Sequence, residues 1–334
     1  MAERSTIAQA TQIGVEVTPG TGVAATKRLA GLSLSPSPAG TFRNFRPQGT
    51  KYSTVVYQGK EWSESDLSGD ALYSELQYPL SSVITTPTVA QIMDSATPTG
   101  AYRYIFDPAT NTEDNPKTFT VEQGSAVRAH RSLYTIVNEL TMDFSRESVE
   151  LGGSAFGRAI EDGVTMTSSG VTTLPSIPVI PTQLSVYLDD AATGLGDTKL
   201  GRVLSGTFTI GSRYNPLWVV DAANPSFVAH VEAEPEVTME LLLEADAEGM
   251  ALLTAMRNST TQFVRLKGQG PRIYDGTTDQ FHEMTIDMAG KVSDAPAFSD
   301  EDGVYAIRFI FAAVHDPTWG RAFKVELINT IAAL

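Results

Sequence analysis

The chain contains no cysteine, which excludes disulfides, thiolate metal sites and cysteine nucleophiles. Positive charge is scarce: 24 Lys and Arg stand against 39 Asp and Glu, for a net charge of −15 and a pI of about 4.7. The acids are scattered rather than gathered in a tail. A surface this acidic repels nucleic acid, which argues against gripping DNA and suits a surface that DNA must pass without sticking. No apolar run approaches the ~18–20 residues of a membrane helix. The opening Met1-Ala2-Glu3-Arg4-Ser5 lacks the basic and apolar blocks of a secretory signal. These absences predict a protein made and used in soluble form, with no membrane partner.

Chemistry-bearing motifs are missing as well. The four histidines, His130, His230, His282 and His315, form no HExxH or HxH pair, and no serine occupies a Gly-x-Ser-x-Gly elbow. Gly194-Leu195-Gly196 and Gly268-Gln269-Gly270 do not complete Gly-x-Gly-x-x-Gly. The acidic turns at Asp189-Asp190 and Asp300-Glu301-Asp302 lack calcium-loop spacing. Carboxylates are abundant, yet nothing singles out a glycosidase pair. The sequence therefore predicts no enzyme, no cofactor and no metal.

Strand signals dominate what is present. Short runs rich in Val, Ile, Thr, Tyr and Phe recur between turn clusters. They are Leu32–Leu34, Phe119–Glu122, Leu133–Phe144, Leu184–Leu188, Val203–Ile210, Phe227–Glu232, Phe263–Lys267, Phe281–Met288, Val304–Val314 and Ala322–Ile328. Two helices are expected: Asp70–Ile84, which Pro79 should bend or break, and Ala247–Asn258, with Met250, Leu253 and Met256 on one face. Pro175, Pro178 and Pro181 make 171–181 an extended connector at mid-chain. The polar segment 1–29 reads as an arm. The division that follows is arm 1–29, first unit 30–170, linker 171–181 and second unit 182–334, in a mainly β fold.

A shift of 144 residues lays Phe119–Asp143 over Phe263–Asp287 without a gap, matching Phe119 with Phe263, Gly124 with Gly268 and Arg128 with Arg272. Both segments end on a Glu-x-Thr-x-Asp strand. Leu140, Met142 and Phe144, like Met284, Ile286 and Met288, form an apolar face, while Glu139, Thr141, Asp143 and Glu283, Thr285, Asp287 form the polar one. A duplicated unit is expected, with 85–117 as an insertion in its first copy.

The segment IGVEVTPGTGVAATKRLAGLSLSPSP (13–38) is followed by Phe45-Arg46-Pro47-Gln48-Gly49, Gly59-Lys60-Glu61-Trp62 and then 70–82. This order of arm, first strand, long polar loop, Gly-Lys-Glu-Trp strand and helix resembles the opening of major tail tube proteins of long-tailed phages, over roughly 13–83. That resemblance implies two tandem tail-tube-type β-sandwich domains, each with a flanking short helix, whose inner sheets join across subunits into a ring barrel. It also implies self-assembly into stacked rings that conduct DNA into the host. The length and the duplication favour a homotrimer with pseudo-sixfold symmetry, with a hexamer as the alternative. Other tail proteins at the tube ends, a tape measure protein inside, a place in the virion tail and assembly in the host cytoplasm follow from the same resemblance.

On this basis Glu139, Thr141, Asp143, Glu283, Thr285 and Asp287 are candidates for the lumen face, although the pattern leaves open that they face outward. The arm and the loop Thr41–Glu61, with Phe42, Arg43, Phe45, Arg46 and Tyr52, are candidates for contact between rings. The alternatives are another virion β-protein (head decoration, tail terminator or minor tail protein) or a β-sandwich carbohydrate-binding module.

Overall fold

The computed structural model describes residues 9–334 apart from 126, 222, 296, 297 and 302, and of the side chains of 247–249 and 251 nothing is said. The chain opens with β1 (Ala10–Val15), β2 (Lys27–Arg28), β3 (Leu32–Phe45) and β4 (Val55–Asp70). Helix α1 (Gln77–Val83) follows, then β5 (Thr88–Asp94), β6 (Thr97–Phe106), β7 (Phe119–Gly124) and β8 (Ala129–Ser145). β9 (Val149–Gly157), β10 (Glu161–Val164) and β11 (Thr172–Thr173) complete the first half. The second half holds β12 (Leu184–Asp189), β13 (Val203–Ile210), β14 (Tyr214–Leu217), β15 (Ala229–Glu232) and β16 (Val237–Glu244). Helix α2 (Ala247–Arg257) leads into β17 (Gln262–Tyr274), β18 (Gln280–Asp294), β19 (Ser299–Glu301), β20 (Val304–Ala313) and β21 (Phe323–Asn329).

The fold is mainly β, as expected. All strands but β14 and β15 join one large sheet, which does not close into a barrel among the described residues. Alternation puts Leu140, Met142 and Phe144 of β8 and Met284, Ile286 and Met288 of β18 into one core, together with Phe208, Met239, Phe309 and Phe311. Burying such side chains contributes about 1.5–3 kcal/mol each.

The two halves follow the same antiparallel pairing order. In the first, β3 pairs with β4, β4 with β9, β9 with β8, β8 also with β7 and β10, and β7 with β1. In the second, β13 pairs with β16, β16 with β20, β20 with β18, β18 also with β17 and β21, and β17 with β12. Each half carries its helix at the same point of that order. The halves are fused twice: β8 pairs with β13, and β6, from the 85–117 insertion, pairs with β21.

The gap-free repeat does not carry into this pairing. Phe263 lies 144 residues after Phe119, yet its partner Ala289 lies 154 after Phe119's partner Thr135. The β17–β18 hairpin is ten residues longer, so the two Glu-x-Thr-x-Asp triplets stand at different levels of the sheet.

Three further expectations are corrected. Residues 10–29 are not a loose arm: β1 pairs with β7 along its whole length and Ile13 is buried, while 1–8 lie outside the described residues. The 171–181 segment is not a free connector. Thr172 and Thr173 pair with β2, Leu174 and Val179 are buried, and the Val179 amide donates to Ala71. Lastly, Asp70 ends β4, and the helix covers only Gln77–Val83. Pro79 sits in its first turn, where a missing N–H costs nothing. α1 is buried throughout, and two of its polar side chains bond to neighbouring elements: Ser82 Oγ accepts the Val137 amide, and Gln77 Oε1 accepts from Asn329.

Candidate assembly surfaces

The expected loop Thr41–Glu61 is a β-ribbon. The β3–β4 ladder continues past Gly40, with Arg43 facing Tyr57 and Phe45 facing Val55, so only 46–54 form a turn. Phe42, Arg43 and Phe45 therefore lie on a strand, and Arg46 and Tyr52 in the turn. Arg43, Phe45, Val55 and Tyr57 share one face; Phe42, Asn44, Val56 and Gln58 share the other. Neither face is covered. Phe42 is 66% exposed, Phe45 57%, Tyr52 73% and Val56 63%. Sequence reasoning missed Val55, Val56 and Tyr57, although a β-branched and aromatic run of that kind is a strand signal.

The polar side of the sheet divides into two regions. On the first half it carries Glu64, Asp66 and Asp70 of β4, Glu150 of β9, and Glu139 and Asp143 of β8, among serines, threonines and glycines. Asp143 is exposed, and its carboxylate accepts the Thr207 hydroxyl at 2.6 Å; Glu64 accepts the Trp62 indole N–H at 2.9 Å. Among the described residues none of these six acids is in an ion pair. Asp143, Glu150 and Asp70 lie directly opposite one another across three strands, an arrangement of like charges that is unfavourable in itself. The alternation Glu64-x-Asp66-x-Ser68-x-Asp70 was visible in the sequence and would have found the added acids.

On the second half the same side is a neutral lattice. Arg265 holds Asp287 through two bonds of 2.6 and 2.9 Å, Lys267 pairs with Glu283 at 3.0 Å, Lys324 with Glu326, and Arg308 with Glu240 at 3.1 Å. Thr285 and Asp287 are buried and Glu283 is half-buried. The structure thus brings Glu139, Thr141 and Asp143 together on an open face, but takes Thr285 and Asp287 out of solvent.

A second apolar cluster lies against β8 and β9. There the β14–β15 hairpin packs Tyr214, Trp218 and Phe227 on Tyr134, Ile136, Phe156 and Trp62. Trp62 and Trp218 meet edge to face at 5.6 Å, and the Tyr134 hydroxyl lies 3.1 Å from His230 Nδ1. Burial holds His230 below the ordinary histidine range, with Glu232 and Glu113 pulling the other way, and it pushes the Tyr214 phenol up to about 12. Arg213, 1% exposed, anchors the hairpin base to Asp114 and Glu232.

Among the described residues no three His, Asp or Glu side chains converge as a metal site, and no helix is long and apolar enough to cross a membrane. No protein-family model matches the chain, and no curated protein matches it.

Proposed function

We propose that the chain is a structural subunit of a phage tail tube, which assembles with copies of itself into stacked rings that conduct DNA into the host. The observation that carries this reading is the bare ribbon. A two-stranded ribbon with both faces in water is marginal at best, and its apolar residues gain a seat only on another molecule. Phe42, Arg43, Phe45, Arg46 and Tyr52, joined by Val55, Val56 and Tyr57, are the proposed contact with the next ring.

The open acidic face supports the same reading. Carboxylates without cations repel phosphate, so a conduit lined by Glu139, Thr141, Asp143 and the neighbouring β4 and β9 acids would let DNA slide. Glu283, Thr285 and Asp287 enter the proposal only as part of the neutral lattice beside it. The recurring pairing order favours two tube-type units per chain and a trimer with six near-equivalent positions; a hexamer is the alternative. End proteins, a tape measure protein and a place in the virion tail rest on the resemblance of 13–83.

The test is negative-stain electron microscopy of the purified full chain. Rings or tubes with a central hole are expected, their sixfold outline modulated threefold. A protein that stays dispersed and monomeric when concentrated would reject the tube reading.

A further inference from the structure

β13 is hydrogen-bonded along both edges. One edge meets β16; along the other, Ser205–Ile210 lies against Leu140–Ser145 of β8, where the sheet of the second half runs into that of the first. β3 stands in the first half where β13 stands in the second. Ser33 faces Ser68, which faces Gly152; correspondingly, Ser205 faces Leu242, which faces Arg308. Yet β3 pairs only with β4; among the described residues no strand is paired along its other edge, and the Gln123 side chain of β7 reaches it only through a bond to the Ser35 hydroxyl at 2.9 Å.

The seat that β8 offers to β13 has a counterpart too. Gly152 corresponds to Arg308, so Glu150 corresponds to Ala306. Glu150 faces Asp143 of β8, and Ala306 faces Ser299 of β19. β19 therefore continues β18 as the counterpart of the end of β8. Among the described residues it pairs only with β20, its three residues are exposed, and Phe298 (54% exposed) and Tyr305 (76%) stand bare beside it.

We infer that β3 of one copy, over Ser33–Ser35, adds to the open edge of β19, Ser299–Glu301, in a second copy. The pairing repeats between chains the joint that β13 and β8 make within one. It rests on the self-assembly reading above and specifies which edges meet. The occupant is a second copy because the matching edge belongs to this same chain and its template is the chain's own β8–β13 joint. Pro36 and Pro38 set the polarity. Both lie inside the β4 ladder, and a proline is tolerated there when its missing N–H would point away from the paired strand. The open side of β3 thus offers carbonyls but lacks two donors. Two β3 edges set against each other would leave facing carbonyls unpaired, so the joint is head-to-tail, the kind that builds rings where the rotation closes and filaments where it does not, rather than a two-fold dimer.

The absence of cysteine makes the test direct. Thr207 faces Asp143 in the internal joint, and the corresponding positions across the proposed one are Ser35 and Ser299, both exposed. S35C and S299C single variants, differently tagged and co-expressed, are oxidised and run without reductant; D143C/T207C in one chain is the control for cross-strand closure. A disulfide dimer carrying one tag of each kind is the expected main product. Symmetric S35C or S299C dimers alone would overturn the joint. So would rings on the grid with no mixed bridge in a preparation where the control closes, an outcome that leaves the tube reading standing. Neither rings nor bridge would reject the joint and the reading together.

Discussion

Two connections hold the same place in the recurring pairing order and end differently. Between Ile210 and Val237 the chain leaves the sheet, turns through β14 and β15, and lies back on β8 and β9. Between the corresponding Pro38 and Ser63 it runs straight outward as the bare β3–β4 ribbon. Both are rich in aromatics, so composition does not separate them; the seat does. The hairpin rests on Phe156, which faces Ile136, whereas the counterpart of Phe156 is Ala312, facing Lys291. An alanine and a lysine offer no aromatic bed. A ribbon given the same seat would have nothing to fold onto, and it stays extended.

Substituting one aromatic from each connection gives the largest expected contrast. Phe227, 1% exposed, packs on Tyr134, Phe156 and Trp218; Phe227→Ala should cost about 3–5 kcal/mol in urea unfolding. Phe45→Ala, at a position 57% exposed, should stay within about 0.5 kcal/mol of the parent. The order reverses for assembly: Phe45→Ala combined with Tyr57→Ser should shorten or abolish tubes at unchanged monomer stability. A folded double variant with tubes of normal length would remove the ribbon from the contact.

The second contrast sets the neutral lattice against the open acidic face. Arg265→Ala leaves the buried Asp287 carboxylate without its bidentate partner. Removing one member of a buried pair costs several kcal/mol; with Arg265 itself 27% exposed, about 2–3 kcal/mol is expected here, read from the unfolding midpoint. Equal stability would mean that Lys324, opposite Asp287, takes over.

Much of this was legible in the residues, for a physical reason. Val203–Ile210 coincides with β13 to the residue, because the alternation from Ser205 to Ile210 has the period of a half-buried strand. The ribbon was not legible as such. Pro36, Pro38, Gly40 and the exposed polar residues around them look like a loop, and only the partner strand fixes them as extended. The false register of the repeat has a similar origin. Glu-x-Thr-x-Asp recurs because any strand with one wet face favours such residues, while the ten extra residues in the β17–β18 hairpin fall beside it and leave no mark in the alternation. Likewise, alternation grouped Glu283, Thr285 and Asp287 on one face but could not foresee Arg265, Lys267 and Lys324 arriving from neighbouring strands to neutralise it.

Acid sharpens the first comparison with a smaller effect. The ribbon contains no histidine, whereas the hairpin docks through His230, whose pKa burial depresses. A histidine with a lowered folded pKa binds fewer protons folded than unfolded. Its contribution is therefore complete above the unfolded value of about 6.5 and is lost as pH falls through that value towards the folded one. His282, also held low by burial, titrates in the same direction, with its ring 5.8 Å from that of Tyr73. His230→Asn should flatten part of the decline in stability below about pH 6.5, and an unchanged slope would assign the decline to His282 and the carboxylates.

The smallest effect belongs to the open face and has the opposite sign to that of the lattice. Among the described residues Asp143 is in no ion pair, and it lies opposite Glu150, itself opposite Asp70, so its charge meets repulsion that solvent and the Thr207 hydroxyl relieve. Asp143→Asn keeps an acceptor for that hydroxyl and removes one of three facing charges. Stability should rise by a few tenths of a kcal/mol, about the size of a cross-strand charge pair, and the gain should shrink as salt is added. A loss instead would mean that the carboxylate's bond to Thr207 outweighs the repulsion, and that the face is held together at the β8–β13 joint. A gain means that the chain keeps these acids against its own stability, which is expected of residues retained for what passes over them.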